Sequence, residues 1–572
     1  MRSLRLWLLA GLAGLALAAT VAVNPSVAAD TVVTEGCIDS VPEPDTTEPV
    51  AICWSVFRPA GADAGHPVPV VLHSHGWAGS RTTDPASFEA WTKAGFGVLS
   101  FDQRGFGASG GQAHVEHPDL EGKDVQGLVD LVAGLDWVAK DGPGDPVLGS
   151  IGGSYGGGYQ FVGAFSELRD RGATRFDALA PEITWWDLKE SLAPQEMVRT
   201  AWNVALYGAG APNVPNNIHE GFAYGAVTGN WPKGELGPDA DLDAFFEKNG
   251  PAWHVANGRT LDIPVLFGQG ITDNLFNLNQ GLQNFAKAIT PGARSRSIFV
   301  GYNGGHELPS VLPAGYGAGG DPCSKELGGA DFEALTIRFF TENLKHTDTG
   351  LAGHGRYHLA SADGKCLSVD SVDATTPVPV GQVVASAAVG APIPTKLADG
   401  PITVAGTPFV DAKVTTVTPD ARALFALAVG TSPVDAKIVQ NNVMPLREPD
   451  PVPGEARSIE LPAVAVEVPE GQSLFLVVSP TSDMFFGSGS RIPGPILLDD
   501  VTVRLPVPAA VGATEVLSAN ATAPAAAAPA PAPQVGGTLA ATGPSGPAPL
   551  LGVVLLAVAL VVRRRFSSFL VH

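Results

Sequence analysis

Ser154 has glycine two residues before it and two after it, in Gly152-Gly153-Ser154-Tyr155-Gly156. The apolar run Pro146-Val147-Leu148 leads into this segment, and Tyr159 to Phe165 continues from it with helical character. A strand, Gly-x-Ser-x-Gly and a helix are the context that raises a serine hydroxyl clear of a sheet as a nucleophile. The pattern alone is weak. With 68 glycines in 572 residues, roughly half a chance match is expected over about thirty serines. A second match, Gly107-Ala108-Ser109-Gly110-Gly111, lies in a turn-rich loop, and context selects Ser154.

A serine nucleophile needs a base and an acid that orients the base. Ile263 to Phe267 reads as a strand and is followed by Gly268-Gln269-Gly270-Ile271-Thr272-Asp273. Ser297 to Val300 reads as another and is followed by Gly301-Tyr302-Asn303-Gly304-Gly305-His306. Asp273 and His306 thus fall just past strand ends, in the chain order Ser, Asp, His. Asp187 is the reserve acid. The oxyanion donors expected are the backbone N–H of Tyr155 and that of Trp77, the latter in the loop His73-Ser74-His75-Gly76-Trp77. His73 and His75 read as structural histidines. Asp102 and Arg104 read as a buried, hydrogen-bonded wall beside the site. Trp185 and Trp186 either pack together or wall a substrate pocket, and Asp187 beside them reads equally as a helix cap.

The elements that must hold these residues alternate. Val68 to Ser74, Gly97 to Phe101 and the run through Ala178-Leu179-Ala180 read as strands, and Leu128 to Val138 is apolar at helical spacing. Strands separated by helices imply a parallel sheet covered on both faces. Between about 184 and 261 the alternation gives way to helix-like and Gly/Pro-rich pieces, an insertion over the C-terminal strand ends where ligands bind in open α/β sheets. From about residue 356 short β-rich runs take over, such as Ala423 to Val429 and Ser473 to Val478, as in an all-β sandwich.

The termini carry signals of a different kind. Arg2 and Arg5, the apolar stretch Leu6 to Val23 and Val27-Ala28-Ala29 compose an export signal ending at 29. Export permits disulfides. Four cysteines allow three pairings, and Cys37–Cys53 with Cys323–Cys366 closes the shortest loops. No cysteine or histidine spacing suggests a metal, and no cofactor is expected. A net charge of −22 without a basic patch argues against nucleic acid as a partner. The Pro/Ala-rich segment 507–538 is an extended spacer. Beyond it, segment 539–572 contains Leu539-Ala540-Ala541-Thr542-Gly543, an apolar stretch and Arg563-Arg564-Arg565.

Taken together, the chain resembles the X-Pro dipeptidyl-peptidase and cocaine-esterase family of α/β-hydrolases. The residues that carry the resemblance are Gly152-x-Ser154-Tyr155-x-Gly157 with Gln160 behind it, Gln269-Gly270-x-x-Asp273-x-Leu275-Phe276, and Gly304-Gly305-His306. The resemblance implies an α/β-hydrolase domain over 30–355 with a cap at about 184–261, then a jelly-roll-like sandwich over 356–506. It also implies hydrolysis of small-molecule esters or of amides, some members releasing Xaa-Pro dipeptides. One departure is plain: several members place an oxyanion tyrosine hydroxyl where this chain has His75-Gly76-Trp77. The C-terminal segment resembles a Gram-positive sortase signal with alanine in place of the usual proline, which implies a sortase and peptidoglycan as partners. A retained single-pass anchor is the other reading of that segment. A surface-displayed binding protein with an idle hydrolase domain is the alternative function.

Overall fold

The computed structural model describes residues 31–237, 240–308, 320–386 and 392–508. The export signal, nearly all of the Pro/Ala spacer and the whole sorting segment therefore lie outside the described residues.

Ten strands form one sheet. They are β1 (Val32–Ser40), β2 (Val50–Arg58), β3 (Val70–Ser74), β4 (Gly97–Phe101), β5 (Leu148–Gly153), β6 (Ala178–Glu182), β7 (Leu266–Gly270), β8 (Ile298–Tyr302), β9 (Tyr357–Ala360) and β10 (Cys366–Val369). Their spatial order is β1-β2-β4-β3-β5-β6-β7-β8-β9-β10. Pairing is parallel from β4 through β9 and antiparallel at both margins. The central strands are mostly apolar and buried, β4 buried on every residue, because helices cover both faces. Among those helices are α1 (Glu121–Gly134) and α2 (Tyr155–Arg171), which leads out of β5.

Three boundaries differ from the sequence reading. Helix α1 begins at Glu121, not Leu128, because its first turns bury charge. Arg104 donates to both carboxylate oxygens of Asp124, at 2.9 and 2.7 Å, inside the fold, so the apolar period starts late. Strand β7 runs to Gly270 rather than Phe267. A Cβ on Gly270 would lie 2.1 Å from the Gly304 carbonyl oxygen, so this glycine marks close backbone approach and not a turn. Strands β9 and β10 belong to the large sheet, which moves the end of the hydrolase domain from 355 to about 370.

The insertion after β6 is helical: α3 (Leu188–Leu192), α4 (Thr200–Gly210), α5 (Asn216–Thr228), α6 (Leu242–Glu247) and α7 (Pro251–Ala256). Helix α8 (Phe332–Lys345) follows β8 and covers the opposite face. The C-terminal unit is a sandwich of antiparallel sheets. One contains Thr376–Ser386, Pro495–Leu505, Phe409–Thr416 and Pro453–Glu460; the other is built on Ala421–Gly430 and Ser473–Ser479. Valine and leucine side chains from both sheets close its core. The disulfides are Cys37–Cys53 and Cys323–Cys366, the short-loop pairing expected.

Candidate active site

Ser154 stands between β5 and α2 with φ 59° and ψ −120°, a backbone conformation that a non-glycine residue holds only when its surroundings impose it. Gly152 and Gly156 make the turn possible. A Cβ on Gly152 would meet the Gly156 carbonyl oxygen at 2.5 Å, and one on Gly156 would meet the Ser74 carbonyl oxygen at 2.4 Å. Gln160, fully buried, ties the turn together. Its Nε2 donates to the carbonyls of Gly152 and Gly156, both at 3.1 Å, while its Oε1 accepts from Ser150 Oγ at 3.1 Å and from Ala180 N at 3.2 Å.

The structure brings Ser154, His306 and Asp273 together. Ser154 Oγ lies 2.8 Å from His306 Nε2, and His306 Nδ1 lies 2.7 Å from Asp273 Oδ2. An ionised carboxylate only accepts, so Nδ1 carries the imidazole proton and Nε2 is left to accept from the serine. Asp273 is buried and held by three backbone N–H donors: Leu275 at 2.9 Å and Phe276 at 2.8 Å on Oδ1, and His306 at 3.0 Å on Oδ2. The imidazole is walled edge-on by Phe276 and Trp202, with ring centroids 5.2 and 5.8 Å away.

Three supporting residues carried no sequence signal for this role. Trp202 Nε1 donates to Asn274 Oδ1 at 2.7 Å, and Asn274 N donates to the His306 carbonyl at 2.9 Å. Asn442, from the β-sandwich, donates to the Asp273 carbonyl at 2.8 Å. Only the fold places these side chains together: Asn274 is an unspecified position within the Asp273 motif, and Asn442 lies in none.

The loop after β3 lies alongside the nucleophile: a Cβ on Gly76 would be 3.9 Å from both Ser154 Cβ and the Gly153 carbonyl oxygen. His75 holds this loop. Its Nε2 accepts from Gln103 N at 3.1 Å, so the proton is on Nδ1, which donates to the Gly76 carbonyl at 2.8 Å. Burial lowers the pKa of His75, and that of His73 to about 4, so both are neutral, satisfied structural histidines. Trp77 packs edge-on against Tyr155 with centroids 5.1 Å apart and donates its indole N–H to the Leu206 carbonyl at 2.9 Å.

The remaining candidates have structural partners. Asp187 caps α3, accepting from Glu190 N at 3.1 Å. Ser109 Oγ donates to the Asp102 carbonyl at 2.7 Å and accepts from Cys53 N at 2.8 Å. Asp102 accepts from the backbone of Arg81 at 2.6 Å and of Ala108 at 3.0 Å, and pairs with the Arg81 guanidinium. Arg104 pairs with Asp124 and Glu43.

A cavity of about 760 Å³, its open mouth included, reaches from Ser154 into the cap. Its walls are aromatic and aliphatic, among them Trp77, Trp185, Leu206 and Phe276. The described lining residues include no Asp, Glu, Lys, Arg or His. Trp186, by contrast, packs into the hydrolase core.

Such a fold and such a site define a serine hydrolase of the α/β-hydrolase class. Residues 50–306 match the model of the X-Pro dipeptidyl-peptidase (S15) family. The chain is similar to a solved aminopeptidase from a marine-sediment Thaumarchaeota archaeon, at 13% identity over 83% of this chain and 96% of that one, with a TM-score of 0.58. It is also similar to a CocE/NonD family hydrolase from Staphylococcus aureus, at 13% identity over 84% and 98% of the two chains, with a TM-score of 0.55. An α-amino acid ester hydrolase shares 14% identity over 86% of this chain and 99% of its own, with a TM-score of 0.50. At these identities the likeness is one of fold. An Escherichia coli protein described as an uncharacterized 31.7 kDa protein in the traX-finO intergenic region is 32% identical over 115 residues, 20% of this chain and 37% of that protein. The chain thus spans little more than a third of the length of the curated relatives it matches.

Proposed function

We propose that the protein hydrolyses carboxylic esters with apolar acyl groups through an acyl-enzyme on Ser154. His306 Nε2 takes the serine proton as Oγ attacks the ester carbonyl, then returns it to the departing alkoxide. Asp273 holds the imidazole tautomer and stabilises the imidazolium. The backbone N–H groups of Tyr155 and Trp77 take the negative oxygen. Water repeats the sequence on the acyl-enzyme.

The observation that carries the choice of ester is the cavity wall. A dipeptidyl-peptidase substrate brings an α-ammonium, and moving that ion into an apolar chamber whose described lining holds no carboxylate costs several kcal/mol. An apolar acyl chain pays no such penalty and gains from burial. The family match favours a second reading, release of Xaa-Pro dipeptides. Phenyl hexanoate and Ala-Pro-4-nitroanilide, tested side by side, separate the two. Ester turnover abolished by Ser154→Ala supports the first reading, and turnover of the anilide alone supports the second.

Export and attachment to the cell wall through Thr542 complete the reading. Two disulfides support export, because such bonds are rare in reducing cytosol.

A further inference from the structure

We infer that Asn203 is a specificity-determining residue, and that the acyl group this site prefers carries one neutral hydrogen-bond donor, an amide N–H or a hydroxyl, part-way along an otherwise apolar chain. The inference rests on the ester reading of the same site and adds what the cavity asks of the acyl group.

Asn203 brings the one side-chain amide to the described cavity lining. It stands on α4 one turn before Leu206 and Tyr207, and all three line the cavity, as residues three and four apart share a helix face. Its amide orientation is fixed. Nδ2 donates to the Leu192 carbonyl at 2.9 Å and to the Arg199 carbonyl at 3.0 Å. Carbonyl oxygens cannot donate, so the nitrogen must be the atom that faces them, and both its hydrogens are committed. What Asn203 offers the cavity is therefore Oδ1, a neutral acceptor in a fixed position. Three neighbouring polar atoms are engaged elsewhere: Trp77 Nε1 with the Leu206 carbonyl, Trp185 Nε1 with the Asn249 carbonyl, and Tyr207 Oη with His219 Nδ1.

A wholly hydrocarbon acyl chain would cover Oδ1 and strip it of water without replacing the hydrogen bond, which is unfavourable. A chain with a donor at that depth meets it. A cationic donor would gain the same bond but bring an unpaired charge into the apolar chamber. The wall thus selects a donor that is neutral.

The test uses phenyl esters in matched pairs. N-acetylglycine, N-acetyl-β-alanine and N-acetyl-4-aminobutyrate esters are each set beside the ketone isostere in which CH2 replaces N–H, so that the donor is placed at three depths. In the wild-type protein at least one pair should favour the amide by roughly tenfold in kcat/KM, about the worth of one hydrogen bond. In Asn203→Leu that ratio should fall to about one. Asn203→Ala repeats the comparison should the leucine variant fail to fold. Ketones equal to or better than amides at all three depths in the wild type would overturn the inference, as would a preference that survives both substitutions. If no phenyl ester is turned over while Ala-Pro-4-nitroanilide is, the ester reading itself has failed and this inference with it.

Discussion

The side-chain amide of Asn442 donates to the backbone carbonyl of Asp273 at 2.8 Å, across 169 residues of sequence. A residue of the β-sandwich thereby fixes the loop that carries Asp273, the proposed catalytic acid. Asn442→Ala should lower kcat by roughly tenfold with little change in KM, because the cavity is untouched while the imidazole loses its fixed partner. Steady-state kinetics on phenyl hexanoate checks this. A fall in KM and kcat together, or no change in either, would count against a positioning role.

Ser154→Ala and His306→Ala should each remove nearly all turnover and leave the fold intact, with fluorophosphonate labelling lost in Ser154→Ala. Ser109→Ala should keep turnover within a few-fold. Its Oγ bridges the Asp102 carbonyl and Cys53 N, so its removal should appear as a stability loss of about 1–2 kcal/mol in denaturant unfolding. A dead Ser109→Ala beside an active Ser154→Ala would reverse the choice of nucleophile.

The proposed oxyanion donors are backbone groups, which sets two substitutions apart. Gly76→Val directs branched methyls at Ser154, whose Cβ lies 3.9 Å from the position a Gly76 Cβ would take. It should cost on the order of 10² in kcat. Trp77→Phe keeps the peptide N–H and gives up only the indole bond to Leu206, so kcat should stay within a few-fold. The ratio of the two effects is the measurement, and comparable losses would contradict a backbone donor at Trp77.

Glu182 gives a pH-dependent handle. Burial pushes its carboxyl up to about 7, against an ordinary value of 4.5. A carboxyl held neutral by the fold stabilises fully below its unfolded pKa. That stabilisation is lost as pH rises from about 4.5 through about 7, since the unfolded chain ionises first. Glu182→Gln keeps an acceptor for the Tyr302 hydroxyl, which donates to Glu182 Oε2 at 3.2 Å. The variant should therefore unfold at a midpoint that gains on the wild type between pH 5.5 and pH 8. Parallel midpoints across that range would show that Glu182 does not titrate as stated.

Wall attachment predicts a processed C-terminus. Mass spectrometry of protein released from the wall should find a chain ending at Thr542, and Thr542→Ala should abolish that species. Recovery of the intact chain through His572 from membranes, indifferent to the substitution, would support a retained anchor instead.

How much of this was legible in the residues depended on where the chemistry is written. Ser154, Asp273 and His306 each follow a strand in the sequence, so a local pattern plus chain order was enough to group them. The acid wall was legible as charge but not as pairing: Arg104 meets Asp124 and Glu43, and Asp102 meets Arg81, partners that sequence separation hides. The start of α1 was obscured because Asp124 points inward against Arg104, which reverses the usual sense of polar and apolar faces. The end of β7 was obscured because glycine there serves close contact with Gly304. Asn203 and Asn442 could not be found at all, since an asparagine in a helix or a β-turn region is ordinary until the fold shows what its amide touches.

The two disulfides sit at opposite margins of the large sheet: Cys37–Cys53 joins its first two strands, and Cys366 lies on its last. A sheet frays from its borders inward, because outer strands have a neighbour on one side only. Here each border is sewn covalently, while Ser154 follows the end of an inner strand held by hydrogen bonds and packing alone. If the protein is exported as proposed, the seams protect the places where a partly unravelled chain would first be seized by a protease. The interior strands around the catalytic serine remain free of covalent restraint.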